Sequence, residues 1–583
     1  MARYIVAVDI GGTFSDLVAL DTKTGQIRNV KVPSTPPTFI EGVMEALRKS
    51  GVPPVQMIVF KHGSTIATNA IIQRRGANTG LVTTRGFRDV LEAGRADRPD
   101  LFALGWDPNP LLVLRRNRLV VTEKVDFEGN VLTPLSEEDV QACARAFRKR
   151  GIEAVSVCFI NSFMNPAHEQ RTKELLEKEL PGVFVTCSSE ILPEMREFER
   201  MSTTTVNAYV GPILDRYLDS LTDAMRGWGY RGDILIIHSG GGVVTCDAAR
   251  AIPARTCQSG PAGGVIGGAL IGTLAGFPNV ITFDIGGTST DLALVYKGQP
   301  LTQSGWKVEF KIPIRFPCID VISIGAGGGS IAWIDPGGTL KNGPHSAGAR
   351  PGPACYGLGG TEPTNTDANL VLGRLNPATF LGGEMRIDPE LARRAIQEKI
   401  ADPYGMSVEE AADGIISVAN ANMVNGTRLI SVERGYDPRE FAIVAFGGGG
   451  PLHAVDVARQ LNIPKVVVPE YPGIASAFGQ LQVEMRHDYL RPILQREKEV
   501  DLEKVDRIFT ELEEQARRAM ASEGVPAGKV ALRRAMDVKY FPQSSALTIP
   551  VKAGRLEERE IARIVADFLA RHEHCPARSP IRS

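Results

Sequence analysis

The sequence predicts an α/β protein made of two related halves, and three observations support this fold class. Apolar strand patterns alternate with helix patterns along the chain, which is typical of α/β architecture. Residues 8–18 (VDIGGTFSDLV) and 283–293 (FDIGGTSTDLA) repeat one plan: a strand ending in aspartate, a Gly-Gly-Thr turn, and a second strand with another aspartate. Glycine clusters follow strands at residues 240–242 and 447–450.

The first third of the chain alternates between strand and helix patterns. The first repeat is expected to continue to Val32 as three short strands, and the prolines that follow end the pattern. Apolar residues at helical spacing predict a helix over about residues 38–50. A strand pattern at 57–62 leads into a small-residue run, 63–70, that enters a helix. Further strands are predicted at residues 80–83, 154–159 and 183–186.

The middle of the chain carries a long helix, a strand and a helix rich in small residues. The long helix is predicted over about residues 196–226, and Pro212 should interrupt or kink it. Residues 233–238 have a strand pattern. Segments 260–269 and 472–479 predict helices with faces of small residues, which let another helix come close.

Residues 325–357 hold a dense run of glycine and proline. That composition predicts no regular elements, but it is too varied for a linker, so we interpret it as a structured loop that lines a site. Segment 325–330 also matches a lone dinucleotide fingerprint, although no βαβ context accompanies it. A strand at 441–446, glycines at 447–450 and a following helix form the pattern of an anion or nucleotide site.

The duplicated turns point to phosphate chemistry. Glycines let the backbone approach an anion closely, and consecutive N–H groups with a threonine hydroxyl can donate to phosphate oxygens. Asp9 and Asp284 cannot bind phosphate themselves, but a hard cation such as Mg²⁺, which keeps several waters, can lie between carboxylate and phosphate. Two such turns facing each other could hold the two ends of a polyphosphate. The alternative is that each motif is only a hairpin turn.

Composition argues against several classes of function. The 583 residues carry a net charge of −1, which provides no electrostatic footprint for nucleic acid or anionic membranes. No segment approaches the ~20 apolar residues of a membrane span, and the N-terminus has no secretory pattern, so we expect a cytoplasmic protein. The eight cysteines form no C-x-x-C pair, which predicts buried free thiols. His62, His345 and His453 could form a metal site only through the fold.

In their order along the chain, these motifs resemble those of the actin-like ATPase superfamily, which includes sugar kinases and Hsp70 chaperones. The resemblance implies two ribonuclease H-like half-domains of the actin type around a nucleotide cleft, with a smaller α+β region at the C-terminus. We expect these units at residues 1–210, 211–490 and 491–583. The matching segments are the first phosphate motif at 9–16, the first connecting helix at 259–271, the second phosphate motif at 283–291, the adenosine motif at 444–453 and the second connecting helix at 472–481.

Longer strings resemble the A-type subunits of the hydantoinase/oxoprolinase family, which includes the β subunits of acetone carboxylases. Ser64 stands where the family usually has threonine, and Arg350 stands where an acidic residue is usual. Residues 574–583 match no family segment, and we expect a truncated or frameshifted C-terminus. The matching strings are residues 61–70 (KHGSTIATNA), 192–200 (LPEMREFER), 343–357 and 360–374 (GTEPTNTDANLVLGR).

This family resemblance implies that ATP activates a carbonyl oxygen. The substrate would be a cyclic amide such as a hydantoin, 5-oxoproline or a lactam, or a ketone enolate awaiting carboxylation. The candidate catalytic residues are Asp9, Asp284, His62 and His345. Both aspartates are expected to act on Mg²⁺ (or Mn²⁺) and its waters. Each histidine is a candidate for substrate contact or proton transfer, and the alternative for each is a purely structural role. The residues expected to bind ATP are Gly11, Gly12, Thr13, Asp16, Gly286, Gly287, Thr288, Asp291, Gly447, Gly448 and Gly449.

Three other functions remain open from the sequence: a small-molecule kinase, a nucleotide-gated binding module of the chaperone type, and an inactive scaffold that stabilises a partner. Family members commonly work with a B-type subunit. We therefore expect a hetero-oligomer that acts on a small-molecule cyclic amide or ketone, with no nucleic-acid or membrane partner.

Overall fold

The computed structural model describes residues 2–11, 14–34, 39–95, 110–309, 311–383, 385–541, 543 and 546–573. Within these ranges the chain forms a mixed α/β structure, which confirms the predicted fold class. No helix in them is both long enough and apolar enough to cross a membrane. The seven cysteines in the same ranges are free and six are buried, as predicted.

The described residues up to 245 contribute strands to a six-stranded sheet, a four-stranded sheet and a two-stranded sheet. Their elements are β1 (Tyr4–Ile10), β2 (Phe14–Asp21), β3 (Ile27–Pro33), α1 (Phe39–Lys49), β4 (Met57–Ser64), α2 (Ile66–Ile72), β5 (Thr79–Thr84), α3 (Val90–Ala93), β6 (Arg118–Val121), β7 (Lys124–Val125), β8 (Val131–Thr133), α4 (Glu137–Lys149), β9 (Ala154–Cys158), α5 (Ala167–Glu179), β10 (Phe184–Cys187), α6 (Ser188–Ile191), α7 (Glu197–Gly227), β11 (Asp233–His238) and β12 (Gly242–Thr245).

The following segment builds a third large sheet and its covering helices. Its elements are α8 (Cys246–Ala251), α9 (Ser259–Leu274), β13 (Val280–Ile285), β14 (Thr290–Tyr296), β15 (Gln299–Pro300), β16 (Thr302–Gln303), β17 (Trp306–Glu309), β18 (Ile312–Ile314), β19 (Cys318–Ile319), β20 (Val321–Ile324), β21 (Ser330–Ile334), β22 (Leu340–Ser346), α10 (Asn365–Val371), α11 (Pro389–Ile396), α12 (Asp402–Tyr404), α13 (Val408–Ile430), β23 (Ala442–Phe446), α14 (Gly450–Leu461), β24 (Lys465–Val467) and α15 (Ala475–Gln482).

The first repeat opens a six-stranded sheet in the order β12-β11-β4-β1-β2-β3. β1, β2 and β3 are antiparallel neighbours, whereas β4 and β11 run parallel to β1. Alternate residues of a strand point to the same face, and Val6, Val8 and Ile10 are accordingly buried together in a core that α1 and α7 complete.

The second repeat opens a sheet of the same design. Its order is β15-β14-β13-β23-β24, with β20 also paired to β14. β13 and β14 form an antiparallel hairpin, and β23 and β24 add in parallel to β13. Helices α13 and α14 cover one face of this sheet. The duplication in the sequence is therefore also a duplication of topology.

Helix α7 links the first sheet to an additional parallel sheet of order β10-β9-β5-β6. It is continuous, with Pro212 inside it. The predicted interruption at Pro212 is therefore wrong, and the alternative, a kink, stays a prediction. Extensive burial of the helix outweighs the single backbone hydrogen bond that proline removes. Residue 210 lies within α7, and β11 and β12 beyond it belong to the sheet of β1. The division at residues 210 and 490 stays a prediction.

Helices α9 and α15 lie side by side between the two duplicated sheets. α15 packs on β1 and β2, and α9 packs on β13 and reaches β4 and β11. A Cβ atom built on Gly479 would overlap Gly263 O and lie 2.5 Å from Gly267 N. The small-residue faces predicted from sequence thus allow the two helix backbones to touch.

The C-terminal region packs around its own core as a small α+β unit. β25 and β26 pair as an antiparallel hairpin, and Phe509, Ile549 and Phe568 are buried between the hairpin and the helices. Its elements are α16 (Leu502–Ser522), β25 (Arg534–Val538), β26 (Leu547–Val551) and α17 (Glu558–Glu573).

Candidate active site

Four aspartates of the two duplicated hairpins lie near enough to one another to interact electrostatically. Asp9 and Asp16 are cross-strand partners on β1 and β2, and Asp284 and Asp291 hold the same positions on β13 and β14. Burial raises the pKa of Asp9 to about 6, of Asp284 to about 7 and of Asp291 to about 6, and it also raises the pKa of Asp16. We call the space bounded by these four residues the cleft.

The four carboxylates interact across the cleft. After burial, Asp291 is the largest contributor to the raised pKa of Asp284, and Asp9 and Asp16 contribute as well. Lys31 lies on the side of the cleft, where its Nζ is 2.6 Å from Asp16 Oδ1. Desolvated negative charge in excess of nearby positive charge is costly, so this arrangement favours binding of a cation.

The turns between the paired strands have matching backbone geometry. Gly11 N–H donates to Phe14 O at 2.9 Å, and Gly286 N–H donates to Ser289 O at 3.0 Å. Gly12 and Thr13 lie outside the described residues. In the second turn Gly287 and Thr288 are exposed, and their N–H groups donate to nothing in the described part of the chain. Free, adjacent N–H groups are suited to binding an anion.

A glycine-rich loop supports the second turn from behind. Gly328 N–H donates to Gly286 O at 3.0 Å, and Gly329 N–H donates to Gly287 O at 2.7 Å. A Cβ atom on Gly327 would lie 2.6 Å from Ser289 N. The backbone approach therefore requires glycine, which explains this part of the sequence without a dinucleotide.

The segment that follows is more regular than predicted. β21 and β22 form a hairpin, so the expectation of no regular elements is wrong for residues 330–346. The rest of the segment is anchored by buried Asp367, which accepts hydrogen bonds from Cys355 N–H at 2.8 Å and Ala354 N–H at 3.2 Å. Ala347 N–H donates to Gly329 O at 2.8 Å. The segment thus packs against the loop that holds the turn at residues 286–289.

The two candidate catalytic histidines lie in contrasting environments. His345 is exposed on β22, and Arg350 is exposed nearby in the chain. His62 is fully buried in the first sheet, with Nδ1 3.1 Å from Val8 O and Nε2 2.7 Å from Tyr217 Oη. Burial lowers the pKa of His62 to about 4. Because both ring nitrogens bond within the core, we leave His62 out of the site and keep His345 as a candidate.

The glycines after β23 pack behind Asp284. Gly449 N–H donates to Ile285 O at 3.0 Å, and Gly447 N–H donates to Pro472 O at 2.9 Å. A Cβ atom on Gly447 would overlap Asp284 Oδ1, whereas one on Gly448 would meet no atom within 4 Å. Residues 447–449 therefore have one side fixed against β13 and one side open.

Helix α15 supplies site residues that the sequence analysis missed. Ser476 Oγ donates to Asp284 Oδ2 at 3.0 Å, and Gln480 lies beside Asp9, where its side chain lowers the pKa of that carboxyl group. The signal in the sequence is slight, because it consists of two polar residues four apart in a helix of small and apolar residues.

The donor set fits a hydrated metal ion better than one held by protein ligands alone. Among the described residues, no group of three or more His, Cys, Asp or Glu side chains could hold a metal. Asp9 Oδ1 is buried, with the side chain of Gln480 beside the carboxyl group. Mg²⁺ typically keeps several waters and takes one or two carboxylates together with phosphate oxygens, which agrees with this geometry.

Comparison with known proteins agrees with the duplicated architecture. Residues 5–180 match the Hydantoinase/oxoprolinase N-terminal region, and residues 200–489 match the Hydantoinase/oxoprolinase model. The chain belongs to the hydantoinase/oxoprolinase family. The caprolactamase subunit alpha of Pseudomonas jessenii is 35% identical over 98% of this chain and 84% of its own length. 5-oxoprolinase 1 of Arabidopsis thaliana is 31% identical over 96% of this chain, which spans 48% of that protein.

Two solved structures of this family cover the whole chain. The crystal structure of ATP-dependent caprolactamase from Pseudomonas jessenii matches with a TM-score of 0.86, 34% identity and 86% of its chain. The nucleotide-free structure of acetone carboxylase matches with a TM-score of 0.80, 28% identity and 86% of its chain. Both matches include the C-terminal α+β region.

Proposed function

We propose that this protein is an A-type subunit of an ATP-dependent enzyme that hydrolyses a cyclic amide. The observation that carries the proposal is the pair of equivalent aspartate-and-turn units facing one cleft, in which Gly287 and Thr288 offer free N–H groups. The names of two relatives support the choice of reaction, since caprolactamase and 5-oxoprolinase are both named after a cyclic amide substrate.

The proposed ligand of the cleft is ATP with Mg²⁺ or Mn²⁺. Asp9 and Asp284 would hold the ion through its waters, and such an ion supplies charge neutralisation for phosphoryl transfer. The turns at residues 11–13 and 286–288, with Asp16 and Asp291 behind them, would bind the phosphates. The open side of Gly447, Gly448 and Gly449 would bind adenosine.

The proposed chemistry makes a poor leaving group into a good one. The amide oxygen attacks the γ-phosphorus of ATP, a P–O bond forms, and the bond to the ADP oxygen breaks. Water then adds to the activated carbon, and the ring C–N bond breaks to give an amine and an acyl phosphate. A second water hydrolyses the acyl phosphate to a carboxylate and phosphate. The sum is one cyclic amide, one ATP and two waters converted to one amino acid, ADP and phosphate. His345, exposed on β22, is a candidate for substrate contact or proton transfer.

A partner subunit is part of the proposal. The relatives are named as subunits, as in caprolactamase subunit alpha and acetone carboxylase beta subunit. We propose that a B-type subunit joins this chain in a hetero-oligomer and completes the hydrolysis. Location in the cytoplasm stays a prediction from the sequence.

Ketone carboxylation is a second candidate, and the likeness to the acetone carboxylase structure favours it. It would use the same phosphate chemistry on an enolate oxygen, with bicarbonate as the second substrate. The discriminating observation is the product, since hydrolysis gives an amino acid and carboxylation gives a keto acid.

The test is an ATP hydrolysis assay with a substrate panel. The purified chain is assayed for ADP and phosphate release with hydantoins, 5-oxoproline, lactams and, in the presence of bicarbonate, ketones, each with and without the product of the neighbouring gene. Turnover that depends on a cyclic amide is expected. A stable phosphorylated product would indicate a small-molecule kinase, and no ATP dependence with any compound would overturn the proposal.

A further inference from the structure

A small cavity lies where β11 and α8 meet the chain segment that follows α15. Its polar lining consists of His238, Arg255, Thr256 and His487, and its other described lining residues are apolar. None of the described lining residues is acidic. The cavity volume is about 30 Å³, and one water needs roughly 10–15 Å³. The space therefore holds about two waters or one monatomic ion.

Arg255 brings a positive charge to this cavity without an ion pair in the described part of the chain. Its Nη2 donates to the backbone oxygen of Asp488 at 2.9 Å, and its Nε is buried without a hydrogen-bond partner in the described residues. The ring of Phe316 covers the guanidinium, with 5.1 Å between Cζ and the ring centroid. Such a contact stabilises a cation, but it does not neutralise the charge.

The acidic side chains nearest to Arg255 are engaged elsewhere. The Oδ1 atom of Asp488 accepts from Arg486 Nε at 3.2 Å and from Arg486 Nη2 at 3.0 Å. Glu523, which follows α16, lies 3.0 Å from His487 Nε2. Each of these two carboxylates therefore already has a cationic or hydrogen-bonding partner, and neither contacts the guanidinium of Arg255.

His238 shows how close the charge of Arg255 lies to the cavity wall. Gly240 N–H donates to His238 Nδ1 at 3.1 Å, and Nε2 lies 3.1 Å from Arg486 O, to which it donates. The ring is therefore neutral. Burial, and next the charge of Arg255, lower the pKa of His238 to about 4. A buried charge that no partner balances is costly to the fold, which indicates that the balancing charge comes from a ligand.

We propose that this cavity binds a monatomic anion such as chloride, which neutralises Arg255. The inference is independent of the proposed function. The volume has room for an ion of that size but not for phosphate. Arg255 and His238 also hold the backbone oxygens of residues 488 and 486, so the anion should fix this segment, which leads to the C-terminal region, against the first sheet.

The first test locates the ion in the full chain. Crystals of the wild type are grown with bromide in place of chloride, and anomalous diffraction is measured at the bromine absorption edge. We expect a bromide peak inside the cavity, beside the guanidinium of Arg255. Density for water alone in the cavity would overturn the inference, and this measurement needs no variant that has to fold.

The second test measures whether the ion stabilises the protein. Melting temperature is followed while potassium chloride replaces potassium gluconate at constant ionic strength. For the wild type we expect a saturable rise of about 2 °C, and Arg255→Met should abolish it. Arg250→Met is the matched control, because Arg250 already pairs with Asp215 and Asp219 and its replacement should leave the rise unchanged.

The outcomes of the two tests are read together. A bromide peak in the cavity, with a chloride-dependent rise that is lost in Arg255→Met, supports the inference. A bromide peak with no effect of chloride on the wild type means an adventitious ion only and contradicts it. An unchanged rise in Arg255→Met also contradicts it, because chloride would then act at another place.

Discussion

Desolvated negative charge is the residue-scale property on which the proposed chemistry of this site depends. Asp9 and Asp284 end equivalent strands, and burial raises the pKa of both. A carboxylate taken out of water destabilises a fold unless it is paired. Ser476 gives Asp284 one hydrogen bond, which offsets only part of that cost. Under the proposed function, this arrangement gives up stability in exchange for ligand binding.

Replacement of Asp284 by asparagine should therefore change stability and activity in opposite directions. Asparagine keeps an acceptor for Ser476 and removes the buried charge, so the free energy of unfolding of the ligand-free protein should rise by roughly 1–3 kcal/mol at pH 7.5. ATP turnover should fall roughly 100-fold, because a contact to the cation is lost. Urea denaturation and an ADP-release assay measure the two effects.

Asp413→Asn is the matched control for this prediction. Asp413 is exposed on α13, and its replacement should leave both quantities unchanged. A destabilised Asp284→Asn protein would show that the carboxylate contributes to folding and would contradict the prediction.

At the scale of elements, glycine determines how closely α9 and α15 approach. The pair carries the contacts to both aspartates, so its geometry sets the geometry of the site. Gly479 faces backbone atoms of Gly263 and Gly267, which cannot move aside as a flexible side chain can.

Gly479→Ala should accordingly push the two helices apart. We expect a loss of about 3 kcal/mol in the free energy of unfolding, together with weaker ADP binding, measured by urea denaturation and calorimetry. Gly227→Ala is the control, because Gly227 ends α7 with open space around it. That substitution should be neutral or stabilise by up to about 1 kcal/mol. Equal effects of the two substitutions would contradict the close contact.

A polar network joins three helices of the second half. His453 on α14 lies 2.7 Å from Asn420 Oδ1 on α13 and 3.3 Å from Asn369 Nδ2 on α10. Since Asn420 Oδ1 can only accept, His453 Nδ1 carries the proton and Nε2 accepts from Asn369, so the ring is neutral. Burial, and next the charge of Arg374, lower the pKa of His453 to about 4.

This neutral histidine should make stability depend on pH. Between about pH 4 and 6.5 the unfolded chain binds a proton at His453 that the folded chain does not, so the free energy of unfolding falls as pH falls. Relative to His453→Asn, which keeps a donor for Asn420 but does not titrate, the wild type should lose about 2 kcal/mol between pH 7.5 and 5. Urea denaturation of both proteins at the two pH values measures the difference. If the free energies of unfolding of the two proteins differ by the same amount at both pH values, His453 is not held neutral in the folded protein and the prediction is contradicted.

At the scale of the whole molecule, the parts that sequence predicts well are those fixed by local pattern. The hairpins of residues 4–21 and 280–296 follow from alternating apolar residues and a glycine turn. Their assembly does not follow from such patterns. Gln480 reaches Asp9 only because α15 packs on β1. His62 precedes a glycine, as site residues often do, but the fold places its side chain in the core. Pro212 also remains within a helix, because the packing of that helix in the fold outweighs the low helix propensity of proline.

The whole-molecule consequence is that cation and nucleotide should stabilise the protein cooperatively. The four cleft carboxylates come from both duplicated sheets, and repulsion from the others adds to the raised pKa of Asp9 and of Asp284. ADP alone would add negative charge to this cleft, whereas Mg²⁺ relieves the repulsion and also binds the phosphates. Each ligand should therefore improve binding of the other, and the coupling is reciprocal.

Thermal unfolding of the wild type measures this coupling directly. With the Mg²⁺–ADP complex at about 100 times its dissociation constant, the folded state should gain about 2.7 kcal/mol. The melting temperature should rise by more than the sum of the shifts with Mg²⁺ alone and with ADP in EDTA. In Asp284→Asn, the rise in melting temperature with both ligands should approach the sum of the rises with each ligand alone. The reason is that the carboxylate of residue 284 no longer repels its neighbours or holds the ion. An ADP shift of the same size in EDTA as in Mg²⁺ would show that the nucleotide binds without the cation, and the carboxylates of the cleft would then need another role.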